Sequence, residues 1–357
     1  MTKKVLIVGS QGYLGSRLTG YLKEQGYSCT GIDTGFFKGG ILTSPDVTHT
    51  VSKDARLLEK KDLEGFDALI LLAGISNDPF GHMTSKQIYD PTRDYALSIA
   101  EMCKGMNIKF IYPSSCSVYG AAADGFLSED SPTNPQTPYS INKLQVEEGL
   151  SKMADKVFTP ISLRFGTVYG MSSRIRFDVV INMLCGLALT TNKIILNSNG
   201  QAWRPHLHID DACESFRCCL DWEPDTDNLV TLNVGRNEDN FKIIDIAKII
   251  HSNVKGSELT YLRVDKNSEE NELIKDRKIQ DGVDTRTYKV SFDKISKTLP
   301  GFKCIWSVEK GIVDLLDKLK SINLDNDMFN RREFYRLQQI EYLHQINKIN
   351  DDLYWNS

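Results

Sequence analysis

The chain has 357 residues, with 43 Lys+Arg against 47 Asp+Glu and a formal net charge of −4. With no basic excess to release counterions, the composition argues against a protein that binds nucleic acid by neutralising phosphates. Hydrophobic residues at 41% and charged residues at 25% are those of an ordinary soluble globular protein, and the length allows two or so domains, or one α/β unit with a substrate-binding appendage.

The opening apolar run, Val5-Leu6-Ile7-Val8, stops at Gly9 and is too short for a signal peptide or a membrane span. A cytoplasmic chain that does not associate with membranes is therefore expected. Cysteines occur at 29, 103, 116, 185, 213, 218, 219 and 304, with no Cys-x-x-Cys pair. They read as reduced, mostly buried thiols, Cys218-Cys219 being two small apolar residues on a helix.

Up to about Phe165, short β-branched runs alternate with amphipathic stretches, the pattern of a doubly wound parallel sheet wrapped by helices in an α/β fold. Strands are predicted at Lys4 to Val8, Ser28 to Ile32, Ala68 to Leu72, Lys109 to Tyr112 and Pro160 to Arg164. Between the first two, Leu14, Leu18, Tyr21 and Leu22 make one helical stripe. Further helices are predicted from Lys86 to Lys104 and after Pro138.

Beyond residue 165 the mixed pattern predicts a smaller α+β lobe, with helices near Arg176 to Leu189, Asp211 to Trp222, Phe241 to Ser252 and Val308 to Lys320. Lys266 to Asp284 is charged and aperiodic and reads as an exposed loop. Asp327 to His344 carries Phe334, Leu337, Ile340 and Leu343 at helical spacing and predicts one terminal helix. The expected division is a dinucleotide-binding unit over 1–170, a substrate lobe over 171–320 with some chain returning to the first unit, and a helical extension over 321–357.

Gly9-Ser10-Gln11-Gly12-Tyr13-Leu14-Gly15 joins the first strand to the first helix, where glycines let a pyrophosphate approach backbone amides. Gly9, Gln11, Gly12, Tyr13, Leu14 and Gly15 are thus candidate cofactor residues. The spacing is Gly-x-x-Gly-x-x-Gly, not the Gly-x-Gly-x-x-Gly of the classical dinucleotide turn. Asp33, eighteen residues past Gly15, ends the second strand and is placed to accept both ribose hydroxyls of an adenosine. Its charge repels a 2′-phosphate, which favours NAD over NADP. Asp54 and Ala55, after a weak third strand, are placed to meet the adenine edge.

Ser114 and Ser115 end the strand from Lys109, at the carboxyl edge where open α/β sheets put their ligands. Downstream, Tyr139-Ser140-Ile141-Asn142-Lys143 opens a helix, and the i,i+4 spacing puts phenol and ammonium on one face. A tyrosine of ordinary pKa, roughly 10, is a poor base at neutral pH, and a neighbouring Lys⁺ and a cationic nicotinamide lower it toward a useful value.

In this order of motifs the chain resembles the extended short-chain dehydrogenase/reductase family, in its nucleotide-sugar epimerase/dehydratase branch, from Lys3 to Lys320. The motifs are the glycine turn, Asp33, Leu71-Leu72-Ala73-Gly74, Ser114-Ser115, Tyr139 to Lys143, Leu163 to Gly170, and Arg204 to Asp211. The resemblance implies that Tyr139 is the acid/base at a sugar hydroxyl, that Lys143 holds the nicotinamide ribose, and that Ser115 hydrogen-bonds the same hydroxyl. It places Leu72, Ala73, Gly74, Ser114, Phe165 and Gly166 along the cofactor. Arg204 becomes the clamp on the substrate diphosphate, with Thr167, Arg174, Arg176 and Arg286 as further substrate residues; a solvated loop explains Arg174 and Arg176 as well.

His206 and His208 share a strand face, but no carboxylate or cysteine sits at ligand spacing, so no metal is expected; Asp211 is expected to cap the helix that follows. Three departures from the branch matter. Cys116 and Ser117 stand where 4,6-dehydratases carry Asp-Glu. Cys116 is one residue after Ser115, whereas GDP-fucose synthases place their cysteine two after, so Cys116 reads as packing. The branch's Asn is missing around Thr92-Arg93.

The resemblance thus implies an NAD-dependent nucleotide-sugar epimerase working through a transient 4-keto sugar, and not a typical 4,6-dehydratase. The rivals are a nucleotide-sugar 4-dehydrogenase or 4-ketoreductase with net redox change, and a non-catalytic NAD-binding regulator. A nucleoside-diphosphate sugar is the expected partner, and family habit suggests a homodimer.

Overall fold

The computed structural model describes residues 2–44, 49–76, 84–121, 125–261 and 287–356. Its centre is a seven-stranded parallel sheet in the order β3-β2-β1-β4-β5-β7-β11. The strands are β1 Lys4–Val8, β2 Ser28–Asp33, β3 Thr50–Ser52, β4 Ala68–Leu71, β5 Lys109–Ser115, β7 Ile161–Phe165 and β11 Val230–Val234. All five strands expected from the sequence are present, and the strand order reverses between β1 and β4. That reversal opens a crevice at the carboxyl ends of the strands.

Alternation along β1 explains the layers. Val5 and Ile7 join Leu18, Leu22 and Phe216 in the core on one face. Leu6 and Val8 join Leu69, Ala96, Ile99 and Val146 on the other. The first face is covered by α1 Tyr13–Glu24 and the second by α2 Ser85–Gly105 and α3 Pro138–Met153. Both faces are apolar because crossover helices cover both.

The second lobe holds β8 Thr167–Tyr169, β10 Trp203–His208, α4 Val180–Thr191 and α6 Ile243–Asn253 around a core that includes Phe177 and Leu184. Later segments also join the central sheet: β11 pairs with β7, and α5 Ile209–Asp221 packs on α1.

Three expectations need correction. The terminal helix is broken into Asn326–Phe329, a 3-10 turn at Arg332–Phe334, and Arg336–Gln345. Phe329 and Phe334 both insert against Phe177, at ring separations of 4.8 and 5.6 Å, while the Phe177 N–H donates to the Phe334 carbonyl and the Arg336 N–H to Asp178. Those anchors outweigh a marginal helical propensity. Second, α4 starts at Val180 and not at Arg176, because Arg176 and Asp178 form an ion pair at 2.8 Å in the extended segment before it. Third, His208 caps α5 through its ring nitrogen, whereas Asp211 accepts hydrogen bonds from the N–H groups of Ile305 and Trp306. The stretch Lys266 to Asp284 and the second clamp candidate Arg286 lie outside the described residues.

Candidate active site

The glycine turn sits at the switch point. Gly9 has φ +96, and a Cβ there would lie 2.5 Å from the Ala73 nitrogen; a Cβ on Gly15 would lie 2.1 Å from the Gly9 carbonyl. Backbone therefore packs on backbone, and no side chain caps the amino end of α1 at Gly12. The N–H groups of the first helical turn and the helix dipole suit a diphosphate. The Asp33 carboxylate accepts from the Gln11 N–H at 2.9 Å and the Gly35 N–H at 2.7 Å, and its burial raises its pKa.

A cavity runs from this turn along the sheet edge, and six of the candidate cofactor residues, Asp33, Asp54, Ala55, Leu72, Ala73 and Gly74, line it. Asp54 caps the 3-10 turn Ala55–Leu57 and pairs with Arg56 at 2.6 Å. Tyr13 turns away from the cavity: its hydroxyl donates to the Gly170 carbonyl at 2.8 Å, so the side chain fastens α1 to the second lobe. Leu14 packs against two of the hydrophobic cores, and the Phe165 ring packs edge-on against Phe216, outside the cavity lining. The sequence order could not reveal these directions, because it fixes the residue and not which way its side chain points.

Beside the carboxyl end of β5, Thr137 caps α3 and Pro138 opens it, which sets Tyr139 and Lys143 in the first two turns. Lys143 Nζ donates to the Pro113 carbonyl at 2.6 Å and lies 5.7 Å from the Tyr139 ring centre and 4.4 Å from that of Tyr112. Burial pushes its pKa down to about 7, with Glu147 pulling the other way. Ser115 Oγ accepts from the Ser117 N–H at 3.1 Å, capping the turn Cys116–Tyr119. The Ser114 hydroxyl is buried with no partner among the described residues. Cys116 is buried, its thiol donating to the Arg164 carbonyl and its pKa pushed up by burial, which makes it a packing residue.

A buried network was missed in the sequence. Arg164 on β7 meets Glu147 on α3 with Nε at 3.0 Å and Nη2 at 2.6 Å, and its Nη1 donates to the Tyr119 hydroxyl, which donates to Asn233. This pins α3 to the sheet under Tyr139 and Lys143. Its sequence signal was Glu147 at i+4 from Lys143, on the face already identified.

The four described substrate candidates separate. Arg176 is paired with Asp178, donates to Ser76 Oγ, and carries a charge felt at Tyr139. Arg174 feels the charge of Asp33 and reaches toward the Lys38 carbonyl, on the cofactor side, with its Nε buried and unpartnered among the described residues. Arg204 lies over the Tyr288 ring at 5.2 Å, and Thr167 is on β8 opposite His206 of β10. His206 and His208 are buried and held neutral, with pKa values pushed down to about 3 and about 4.

The model of the NAD dependent epimerase/dehydratase family matches residues 5–235. The chain belongs to that family. Its cofactor is NAD, and the glycine turn at the amino end of α1 with Asp33 at the end of β2 is a donor and acceptor set of the kind that suits a dinucleotide. Among curated relatives, the uncharacterized UDP-glucose epimerase YtcB of Bacillus subtilis is 29% identical over 233 residues, covering 61% of this chain and 72% of its own. Among solved structures, the UDP-glucuronic acid 4-epimerase of Bacillus cereus, with UDP-glucuronic acid and NAD, superposes with a TM-score of 0.71 at 23% identity. The NAD-dependent NDP-hexosamine 5,6-dehydratase TunA gives 0.72 at 20%. These alignments cover 89% of this chain and 99% and 98% of the two structures, so the Rossmann-like α/β fold is shared throughout the neighbours' length.

Proposed function

We propose that this member of the family is a nucleoside-diphosphate-sugar 4-epimerase that passes through a 4-keto sugar. The observation that carries the reading is the pairing of Tyr139 and Lys143 on α3, at the edge of β5, beside Cys116 and Ser117 where a 4,6-dehydratase needs carboxylates. NAD, when bound, supplies the group that takes the C4 hydrogen and later returns it. Tyr139 Oη removes the proton from the C4 hydroxyl and gives one back after the sugar has turned its other face. Lys143, held by the Pro113 carbonyl, supplies positive charge beneath the phenol and a donor for the nicotinamide ribose. Ser115 Oγ orients the same hydroxyl. Arg204 is assigned to the substrate diphosphate, for which a guanidinium fork is suited. Because neither Cys116 nor Ser117 can act as the carboxylate pair that drives loss of water, the product keeps its C6 oxygen.

The test is turnover of a panel of nucleoside-diphosphate hexoses and hexuronic acids with catalytic NAD, followed by NMR of the sugar and absorbance at the reduced-nicotinamide band. Inversion at C4 without accumulating NADH is the expected result. Stoichiometric NADH, or a requirement for added NADH, replaces the reading with a dehydrogenase or ketoreductase; loss of water refutes the exclusion of a dehydratase; no turnover of any sugar leaves a non-catalytic NAD-binding protein.

A further inference from the structure

The end of the chain folds into a hairpin seated on the adenosine end of the cofactor cleft. Ile349 and Trp355 pair as an antiparallel bridge, the Asn350 N–H donates to the Tyr354 carbonyl at 2.9 Å, and Asn350 Oδ1 accepts from the N–H groups of Asp352 and Tyr354. At the tip, Leu353 has φ +58, in the left-handed region that a branched side chain enters only at a cost. Its N–H donates to the Asn350 carbonyl at 2.9 Å and its own carbonyl accepts from Arg56 Nη2 at 2.9 Å, which holds that conformation. The Leu353 side chain is 5% exposed and lines the same cavity as Asp33, Asp54 and Leu72.

The hairpin is tied to three sides of that cavity. Arg56, already paired with Asp54, donates to the carbonyls of Asp352 and Leu353 and lies 3.4 Å over the Tyr354 ring. Trp355 Nε1 donates to the carbonyl of Thr34, the residue after Asp33, at 2.6 Å, and its ring sits 5.4 Å from that of Phe36. Gln87 of α2 donates to the Asp351 carbonyl at 3.1 Å. Beneath these bonds, Ile349, Leu353, Ile340 and Leu343 share one apolar cluster with Phe36 and Ile88, so apolar contact bridges the mouth from the loop after β2 to α2.

We propose that Leu353 is a cofactor-binding residue and that the hairpin Ile349–Trp355 is the outer wall of the adenosine subsite, anchored by Arg56 and Trp355. The proposal rests on the NAD assignment and deepens the epimerase reading. The flat adenine face gains from an apolar wall on its second side, and NAD beneath the hairpin leaves only after the Arg56 and Trp355 contacts open. An enzyme that restores its cofactor within each turnover has no need to exchange it, whereas one with net redox change must release it every cycle.

The experiment loads the full chain with isotope-labelled NAD, adds excess unlabelled NAD, and follows release by rapid filtration. Leu353→Asp, which sets a carboxylate against the adenosine, is expected to release NAD at least about ten-fold faster than wild type. Trp355→Phe keeps an aromatic ring but a smaller one and loses the indole N–H donor, and is expected to speed release by about two- to five-fold. Should Leu353→Asp lower the melting temperature of the NAD-free protein, Trp355→Phe decides, since Trp355 is 39% exposed and outside the main cores. Release within the error of the wild-type rate, from every variant that melts like wild type, overturns the proposal. A wild-type chain that takes up no labelled NAD refutes the cofactor assignment itself, a result distinct from three proteins that bind NAD and release it alike.

Discussion

Arg164 and Lys143 are two cations set into the same side of the molecule, one on β7 and one on α3, and they are accommodated in opposite ways. Arg164 has its partners built in: three hydrogen bonds to Glu147 and one to the Tyr119 hydroxyl. Among the described residues Lys143 has one carbonyl, Pro113, and two aromatic rings, and burial lowers its pKa to about 7. A buried charge with a full set of partners is part of the scaffold. One with no carboxylate in contact among the described residues is held at a cost in stability, and the proposed function gives it a ligand to meet.

The largest effect tests what Lys143 serves. Tyr139→Phe leaves both cations in place and removes only the phenol oxygen to which the proposed function assigns the proton transfer, so turnover of a nucleotide-sugar substrate is expected to fall by about 10²–10⁴-fold while NAD binding, measured by calorimetry, is retained. Activity within a few-fold of wild type removes Tyr139 from the mechanism.

Next, Glu147→Gln strands Arg164 as a buried charge without its counter-ion. A loss of about 3–5 kcal/mol in denaturant unfolding is expected, with partial recovery when Arg164→Met is added. An unchanged midpoint contradicts a scaffold role.

The opposite outcome is expected at Lys143. Its folded pKa lies below the ordinary 10.5, so the unfolded chain binds the proton more tightly and wild-type stability is lost as pH falls from about 10.5 toward 7, then levels off. Lys143→Met removes that loss. Thermal melts of the NAD-free protein are expected to show a gain over wild type that is small near pH 10 and largest at and below pH 7, together with lost turnover. A variant that melts lower at every pH breaks the contrast between the two cations.

The smallest effect sharpens the comparison for a buried anion. Asp33→Ala removes the charge that opposes a 2′-phosphate, and the preference for NAD over NADP is expected to narrow by about ten-fold, roughly 1.4 kcal/mol, in parallel titrations of both dinucleotides. Tighter NADP binding by wild type contradicts the role given to Asp33.

What the sequence determined alone is local: the strands of the parallel sheet, the glycine turn after the first of them, Asp33 at a strand end, and the i,i+4 pair Tyr139 and Lys143 on a helix that starts after Thr137 at Pro138. Each depends on spacing within a turn or on apolar period, which a chain carries wherever it folds. Only the tertiary structure decided that Arg164 belongs to Glu147, that Arg174 and Arg176 go to different ends of the cleft, that Phe329 and Phe334 break the terminal helix, and that Leu353 returns to Asp54 and Arg56. Arg56 and Leu353 lie 297 positions apart, and no short-range period links them. A contact across that distance forms only where two separately folded surfaces meet, and its energy comes from carbonyls and apolar side chains that look unremarkable in the linear chain.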